Sequence, residues 1–317
     1  MQTFNTYKPM DSNMLVESNM KQSKYHLFRK YYKMTFSNDF KETDDWLDWF
    51  MGFTEGDGNL YSSVKYNKCS FTTTQKEITM LNHMNSVFNF GNVKLFTSKD
   101  KSLKENDILG YGRWTCYDKK YMFTLYLIFN NNLYLKNRNI QLQNWYAILI
   151  NSPTDRFESL NMTNINQMPP FMYNTNKPTR DNAWISGFTD AEGCFSVTTS
   201  ISTKETKIRF MLDQAEEELL LNNIGEALLD MYNVSMRKTD RPGRKSMKKM
   251  YNTSANMSFT NFNFLLVEDY FNKYPLKTNK LNNYTHWCQV INTKFSGLHN
   301  EDLFEEMNEL KTKVNKF

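Results

Sequence analysis

The chain has 317 residues, of which 40% are hydrophobic and 23% charged, and its formal net charge is +5. That length allows about two domains, and the mild positive charge permits a polyanionic partner without requiring one. The longest apolar stretches, Met122 to Phe129 and Trp145 to Ile150, are too short to cross a bilayer, and no membrane partner is expected. Met1 to Asp11 is polar and carries neither a secretion signal's apolar core nor an Arg-rich import pattern. Cys69, Cys116, Cys194 and Cys288 show no zinc spacing with each other or with the four histidines, and scattered single cysteines fit a reducing compartment.

In chain order, residues 1–43 read as a polar N-terminal extension with one short helix and an aromatic-basic patch from Lys24 to Lys33. A first unit, residues 44–151, opens with Asp44 and Asp45, which favour a helix start, followed by apolar residues at helical spacing. A hairpin over Leu60–Tyr66 and Lys68–Gln75 follows, then a helix over Ile78–Phe88. Strands over Val93–Thr97 and Tyr111–Tyr117 precede helices over Tyr121–Phe129 and Ile140–Ile150. Residues 152–180 hold Pro153, Pro169, Pro170 and Pro178 and mark a linker. Residues 181–297 repeat the same order: helix Asn182–Ala191, hairpin Cys194–Ser202 and Thr206–Gln214, helix Glu216–Met231, strands Val234–Lys238 and Lys249–Met257, helices Phe262–Phe271 and Lys280–Val290. Residues 298–317 read as a C-terminal tail.

The two units are copies of one another. Trp49-Phe50-Met51-Gly52-Phe53-Thr54-Glu55-Gly56-Asp57-Gly58 returns as Trp184-Ile185-Ser186-Gly187-Phe188-Thr189-Asp190-Ala191-Glu192-Gly193. Further landmarks recur in the same order: Phe71 and Gln75 with Phe210 and Gln214, Leu81-Asn82 with Leu221-Asn222, Leu135-Lys136 with Leu276-Lys277, and Trp145 with Trp287. Each motif is small-xxx-small, Gly52 with Gly56 and Gly187 with Ala191, so each helix has a face that admits close approach of another backbone. The simplest partner for one such helix is the other. Their C-terminal ends then bring Asp57 and Glu192 together. Two apposed carboxylates repel, so they either share a proton or bind cations, and a hard divalent cation such as Mg²⁺ or Mn²⁺ held there could serve phosphodiester chemistry. Glu55 and Asp190, two residues earlier, fall on another face, where capping or pairing with a base is the expected role.

These motifs resemble those of the LAGLIDADG homing endonuclease family in its single-chain, two-repeat form, across both units. The resemblance implies an α+β fold of two tandem αββαββα repeats, a pseudo-twofold saddle of antiparallel sheets with the motif helices at the interface. It implies metal binding by Asp57 and Glu192, cleavage of double-stranded DNA by a monomer, and a basic group before each last helix. Lys136 and Lys277 fit that place, with Lys280 as a competitor, and Gln75 and Gln214 would stand beside the metals or touch DNA. The family also contains maturases, so group I intron RNA and splicing form the alternative reading, with the Lys24–Lys33 patch as one possible contact.

Strand alternation supplies a binding face. Asn59, Tyr61, Ser63 and Lys65 form the polar row of the first hairpin, and Ser196, Thr198 and Ser200 that of the second, where they can read base edges. Arg237, Lys238, Arg241, Arg244 and Lys245 belong to a basic run that would hold phosphates. The Asn, Lys, Tyr, Phe, Ile and Met bias matches AT-rich codons. This is open between an AT-rich microbe and an organellar genome, and the expectation is an organelle-encoded protein of the mitochondrial matrix, with another organelle as the alternative.

Overall fold

The computed structural model describes residues 23–97, 110–151, 168–229, 234–238, 249–256, 262–296 and 301–314. Helix α1 (His26–Phe36) precedes the first repeat, which runs α2 (Asp44–Asp57), β1 (Gly58–Ser63), β2 (Lys68–Gln75), α3 (Ile78–Phe88), β3 (Asn92–Phe96), β4 (Tyr111–Cys116), α4 (Lys119–Phe129) and α5 (Lys136–Ile150). The second runs α6 (Trp184–Glu192), β5 (Gly193–Ser200), β6 (Glu205–Ala215), α7 (Glu218–Leu229), β7 (Val234–Lys238), β8 (Lys249–Asn256), α8 (Phe262–Lys273) and α9 (Lys280–Phe295), and α10 (Glu301–Val314) follows. Each repeat therefore carries two helices after its last strand, one more than the αββαββα expectation.

The two sheets have the same topology, β1-β2-β4-β3 and β5-β6-β8-β7, with every pairing antiparallel. Register is preserved as well, since Gly58 faces Thr73 and Gly193 faces Leu212. Alternation sends Leu60, Phe195 and Val197 inward and leaves Asn59, Tyr61 and Thr198 exposed on the other face. Against the inward rows lie Phe50, Phe71, Phe88 and Trp114 in the first repeat and Phe210, Phe271 and Trp287 in the second, all buried. Two tryptophans seat the last helices on their sheets: Trp145 Nε1 donates to Tyr61 O (2.8 Å) and Trp287 Nε1 to Arg209 O (3.0 Å).

The flanking segments differ from the expectation in one respect. The C-terminal tail is largely helical: α10 buries Phe304, Met307, Leu310 and Val314, and Lys311 Nζ donates to Thr199 Oγ1 on β5 (3.0 Å). The N-terminal extension docks on repeat one, where Arg29 bonds Asp44 and the carbonyls of Phe40 and Glu42, and the Tyr25 hydroxyl donates to Asp48 (2.6 Å). Among the described residues no helix is long and apolar enough to cross a membrane.

Candidate active site at the repeat interface

Helices α2 and α6 pack face to face through their small residues. A Cβ added at Gly52 would strike the Trp184 carbonyl and stand 2.7 Å from Phe188 N. One at Gly187 would strike the Trp49 carbonyl and stand 2.8 Å from Phe53 N. A Cβ at Gly56 would collide with that of Ala191. Gly52, Gly56, Gly187 and Ala191 thus lie together, and backbone meets backbone without intervening side chains. Thr43 starts α2 by accepting Trp46 N (3.1 Å), with Asp44 and Asp45 in the first turn.

Below this crossing, Glu55 and Asp190 brace the pair. Glu55 accepts Tyr134 N and Leu135 N (both 2.7 Å) from the approach to α5, and the indole N–H of Trp184 from the other repeat (2.7 Å). Asp190 accepts Lys277 N (2.7 Å) and the Thr278 hydroxyl (2.5 Å) before α9, and the indole N–H of Trp49 (2.7 Å). Burial pushes the Glu55 carboxyl up to about 8 against these donors and raises that of Asp190.

Asp57 and Glu192 are the last residues of α2 and α6. Glu192 lies against Gly56, its Oε1 3.5 Å from where a Gly56 Cβ would be. Burial lifts Asp57 to about 6, opposed by a 2.5 Å hydrogen bond from Gln75 Nε2 and by the charges of Lys280 and Arg138. Glu192 is raised by burial first and then by the negative charge of Asp57, with Lys280 and Arg138 again opposing. Lys280 Nζ donates to Thr189 O (2.8 Å), while Arg138 donates to Glu55 O (2.9 Å) and Gly56 O (3.0 Å). Both cations are themselves lowered, chiefly by burial. The site is therefore two mutually repelling carboxylates flanked by two partly buried cations.

This donor set suits a hard cation. Among the described residues no group of three or more His, Cys, Asp or Glu side chains gathers. Two carboxylates completed by water and phosphate oxygens form a coordination that Mg²⁺ accepts.

Other residues singled out by sequence fall as follows. The cations that act on Asp57 and Glu192 are Lys280 and Arg138, whereas the backbone N–H of Lys136 donates to Glu217 (2.8 Å) and the Lys277 ammonium stands over the Trp49 ring (5.9 Å). The register explains the difference. Arg138 and Lys280 each precede the seating tryptophan, Trp145 or Trp287, by seven residues, whereas the Leu-Lys pairs are one residue out of step. Gln75 reaches Asp57, and Gln214 lies near the end of β6 at intermediate burial. Ser63, Ser196 and Ser200 are partly exposed. Lys65 leaves the strand row, because β1 ends at Ser63 and a 3-10 turn over Val64–Tyr66 follows, with the Lys65 ammonium over Tyr66 (5.4 Å). Arg237 and Lys238 close the edge strand β7, and Arg241, Arg244 and Lys245 lie outside the described residues. In the N-terminal patch, Lys24 faces Asp48, Arg29 faces Asp44 and Lys33 faces Asp39.

Two equivalent α+β repeats joined through glycine-bearing helices, with an acid at each helix end, define a class, and comparison with known proteins agrees. Residues 185–291 match the model of the LAGLIDADG endonuclease family. The "Probable intron-encoded endonuclease 4" of Neurospora crassa is 27% identical over 271 residues, covering 84% of this chain, which spans only 43% of that protein. The LAGLIDADG meganuclease I-AabMI, solved bound to uncleaved DNA, shares the fold with a TM-score of 0.61 at 19% identity, over 86% of this chain and 100% of that one. I-CpaMI, another LAGLIDADG meganuclease solved with uncleaved DNA, gives 0.58 at 16% identity, over 87% and 100%. The second repeat thus matches the LAGLIDADG endonuclease family model, and the chain as a whole shares the fold of LAGLIDADG meganucleases.

Proposed function

We propose that the chain is a site-specific endonuclease that hydrolyses both strands of double-stranded DNA as a monomer, with Mg²⁺ or Mn²⁺ held by Asp57 and Glu192. The observation that carries this is the convergence of those two acids, one from each repeat, beside Arg138 and Lys280. A divalent cation there supplies an activated water and offsets charge on the scissile phosphate. Gln75 fixes the Asp57 carboxylate, and Arg138 and Lys280 counter the negative charge that two acids and a phosphate would concentrate. The polar rows of β1 and β5 would face the groove and read base edges, and the basic run from Arg237 would hold phosphates.

Asp57→Asn and Glu192→Gln should each abolish double-strand cleavage while leaving DNA binding largely intact. Undiminished cleavage in either variant would overturn the assignment. The maturase alternative draws no support from the N-terminal patch, whose Lys24, Arg29 and Lys33 are engaged by acids. The AT-rich codon character and the intron-encoded relative support a mitochondrial, intron-borne gene, which the DNA flanking the reading frame would decide.

A further inference from the structure

Arg113 lies on the same face of the first sheet as the polar row of β1, but on β4, an inner strand of the order β1-β2-β4-β3. Asn59 pairs with Thr72 and Thr72 with Thr115, so Arg113, two residues before Thr115, points to the side that Asn59 occupies. On that face it pairs with Thr74 of β2 and Lys94 of β3. Its chain neighbours Gly112 and Trp114 are buried on the other side, where Trp114 Nε1 donates to Phe90 O (3.1 Å) and anchors the strand.

Two contacts hold the guanidinium to the sheet. Its Cζ stands 5.0 Å from the centroid of the Phe96 ring, which stacks on Tyr111 (5.2 Å, 11°). Its Nε donates to Thr74 Oγ1 (3.3 Å). Among the described residues no carboxylate pairs with Arg113, whereas Arg29 is bound to Asp44, and Arg138 and Arg180 donate to backbone carbonyls. Stacking on a ring leaves the terminal N–H groups of a guanidinium open and limits its rotamers. Nη1 and Nη2 thus remain as a preset pair of donors.

Such a pair matches two acceptors side by side, either two phosphate oxygens or the O6 and N7 of guanine in a major groove. Position decides between them. Phosphates line the rims of a groove and base edges its floor. Arg113 has a strand on either side of it, and its Nε is tied to a neighbour in its own sheet.

We propose that Arg113 is a specificity-determining residue that reads one guanine through Nη1 and Nη2, with Phe96 as its platform. This rests on the DNA-endonuclease reading. Gln75, which reaches Asp57, pairs with Gly112, so the guanine lies in the inner part of the half-site under repeat one. The equivalent rung of repeat two sets Asp213 and Ser235 beside Asn252, so this guanine belongs to one half-site.

The test uses the full chain without divalent metal, so that binding is read apart from cleavage. The probe is the duplex that the unaltered protein selects from a randomised library, remade with 7-deazaguanine, which lacks the N7 acceptor, at each guanine in turn. One such replacement should weaken the unaltered protein by about tenfold, while Arg113→Met binds the two duplexes within about twofold of each other. Arg113→Lys, which keeps the charge and loses the planar fork, should behave like Arg113→Met. Phe96→Leu should leave guanine preferred, with the ratio lowered by about threefold. Equal weakening of Arg113→Met on all sequences, with a shallower salt dependence, would make Arg113 a phosphate anchor and overturn the proposal. Lost preference for a base other than guanine, or an unchanged response to 7-deazaguanine, overturns it too. Selective binding that obeys these expectations, with no cleavage once Mg²⁺ is restored, would instead overturn the endonuclease reading and leave the guanine assignment standing.

Discussion

Trp49 of the first repeat donates its indole N–H to Asp190 of the second at 2.7 Å, and Trp184 returns the same bond to Glu55. Both carboxylates are buried, so losing Trp184 removes the hydrogen bond to Glu55 Oε2, while losing Trp49 leaves Asp190 Oδ2 with the Lys277 N–H alone. Trp49→Phe or Trp184→Phe should cost about 1–3 kcal/mol of unfolding free energy, read from urea titration. Unchanged midpoints in both variants would show that the reciprocal bonds contribute no net stability.

Gly52→Leu and Gly187→Leu should be at least as damaging. A side chain there meets carbonyl and amide groups of the facing helix, which cannot rotate away. The expected loss is about 1–3 kcal/mol or more, with loss of cleavage as the repeats separate. If both variants keep full stability and activity, this face is not what joins the repeats.

Acidity supplies a third check, with opposite signs for stability and for metal. Burial holds the Asp57 carboxyl up near about 6, so the folded chain binds more protons than the unfolded one between the ordinary Asp range and that value. Through that window metal-free stability falls as pH rises, and Asp57→Asn should remove that contribution. A cation needs the ionised form, so Mn²⁺ affinity measured by calorimetry should weaken as pH falls through about 6. Mn²⁺ binding that is flat across this range would separate Asp57 from the metal.

Arg138→Met and Lys280→Met should lower single-turnover cleavage by about tenfold or more while changing DNA affinity little, because each removes a partly buried positive charge beside the acids. Lys136→Met and Lys277→Met test the alternative placement of the basic groups. A larger loss of turnover in that second pair would reverse the assignment.

The fold was largely legible because the duplication presents each signal twice. Ile78–Phe88 was read to the residue from the spacing of Met80, Leu81, Met84 and Phe88, all buried. The close approach at Gly52 and Gly187 followed from small residues four apart in both copies. Less legible were groups whose partners lie far off in sequence. Glu55 takes its donors from Tyr134, Leu135 and Trp184, and no local pattern announces such a convergence. The basic residues admit two alignments because the loops before α5 and α9 differ by one residue in register. Counting back from Trp145 and Trp287 would have placed Arg138 and Lys280 opposite one another. Within the C-terminal tail, Phe304, Met307, Leu310 and Val314 recur at the helical spacing that α10 buries.

The contact between Gly56 and Ala191 has an architectural consequence. Ala191 is accommodated because the residue opposite has no side chain, and a methyl on both sides would occupy the same space. Two copies of the second half could not rebuild this crossing about an exact dyad, whereas two copies of the first would set glycine against glycine. In this packing Ala191 fits because the half it meets carries glycine at the matching place. The single chain is thereby committed to a pairing of unlike halves, free to diverge on their outer faces.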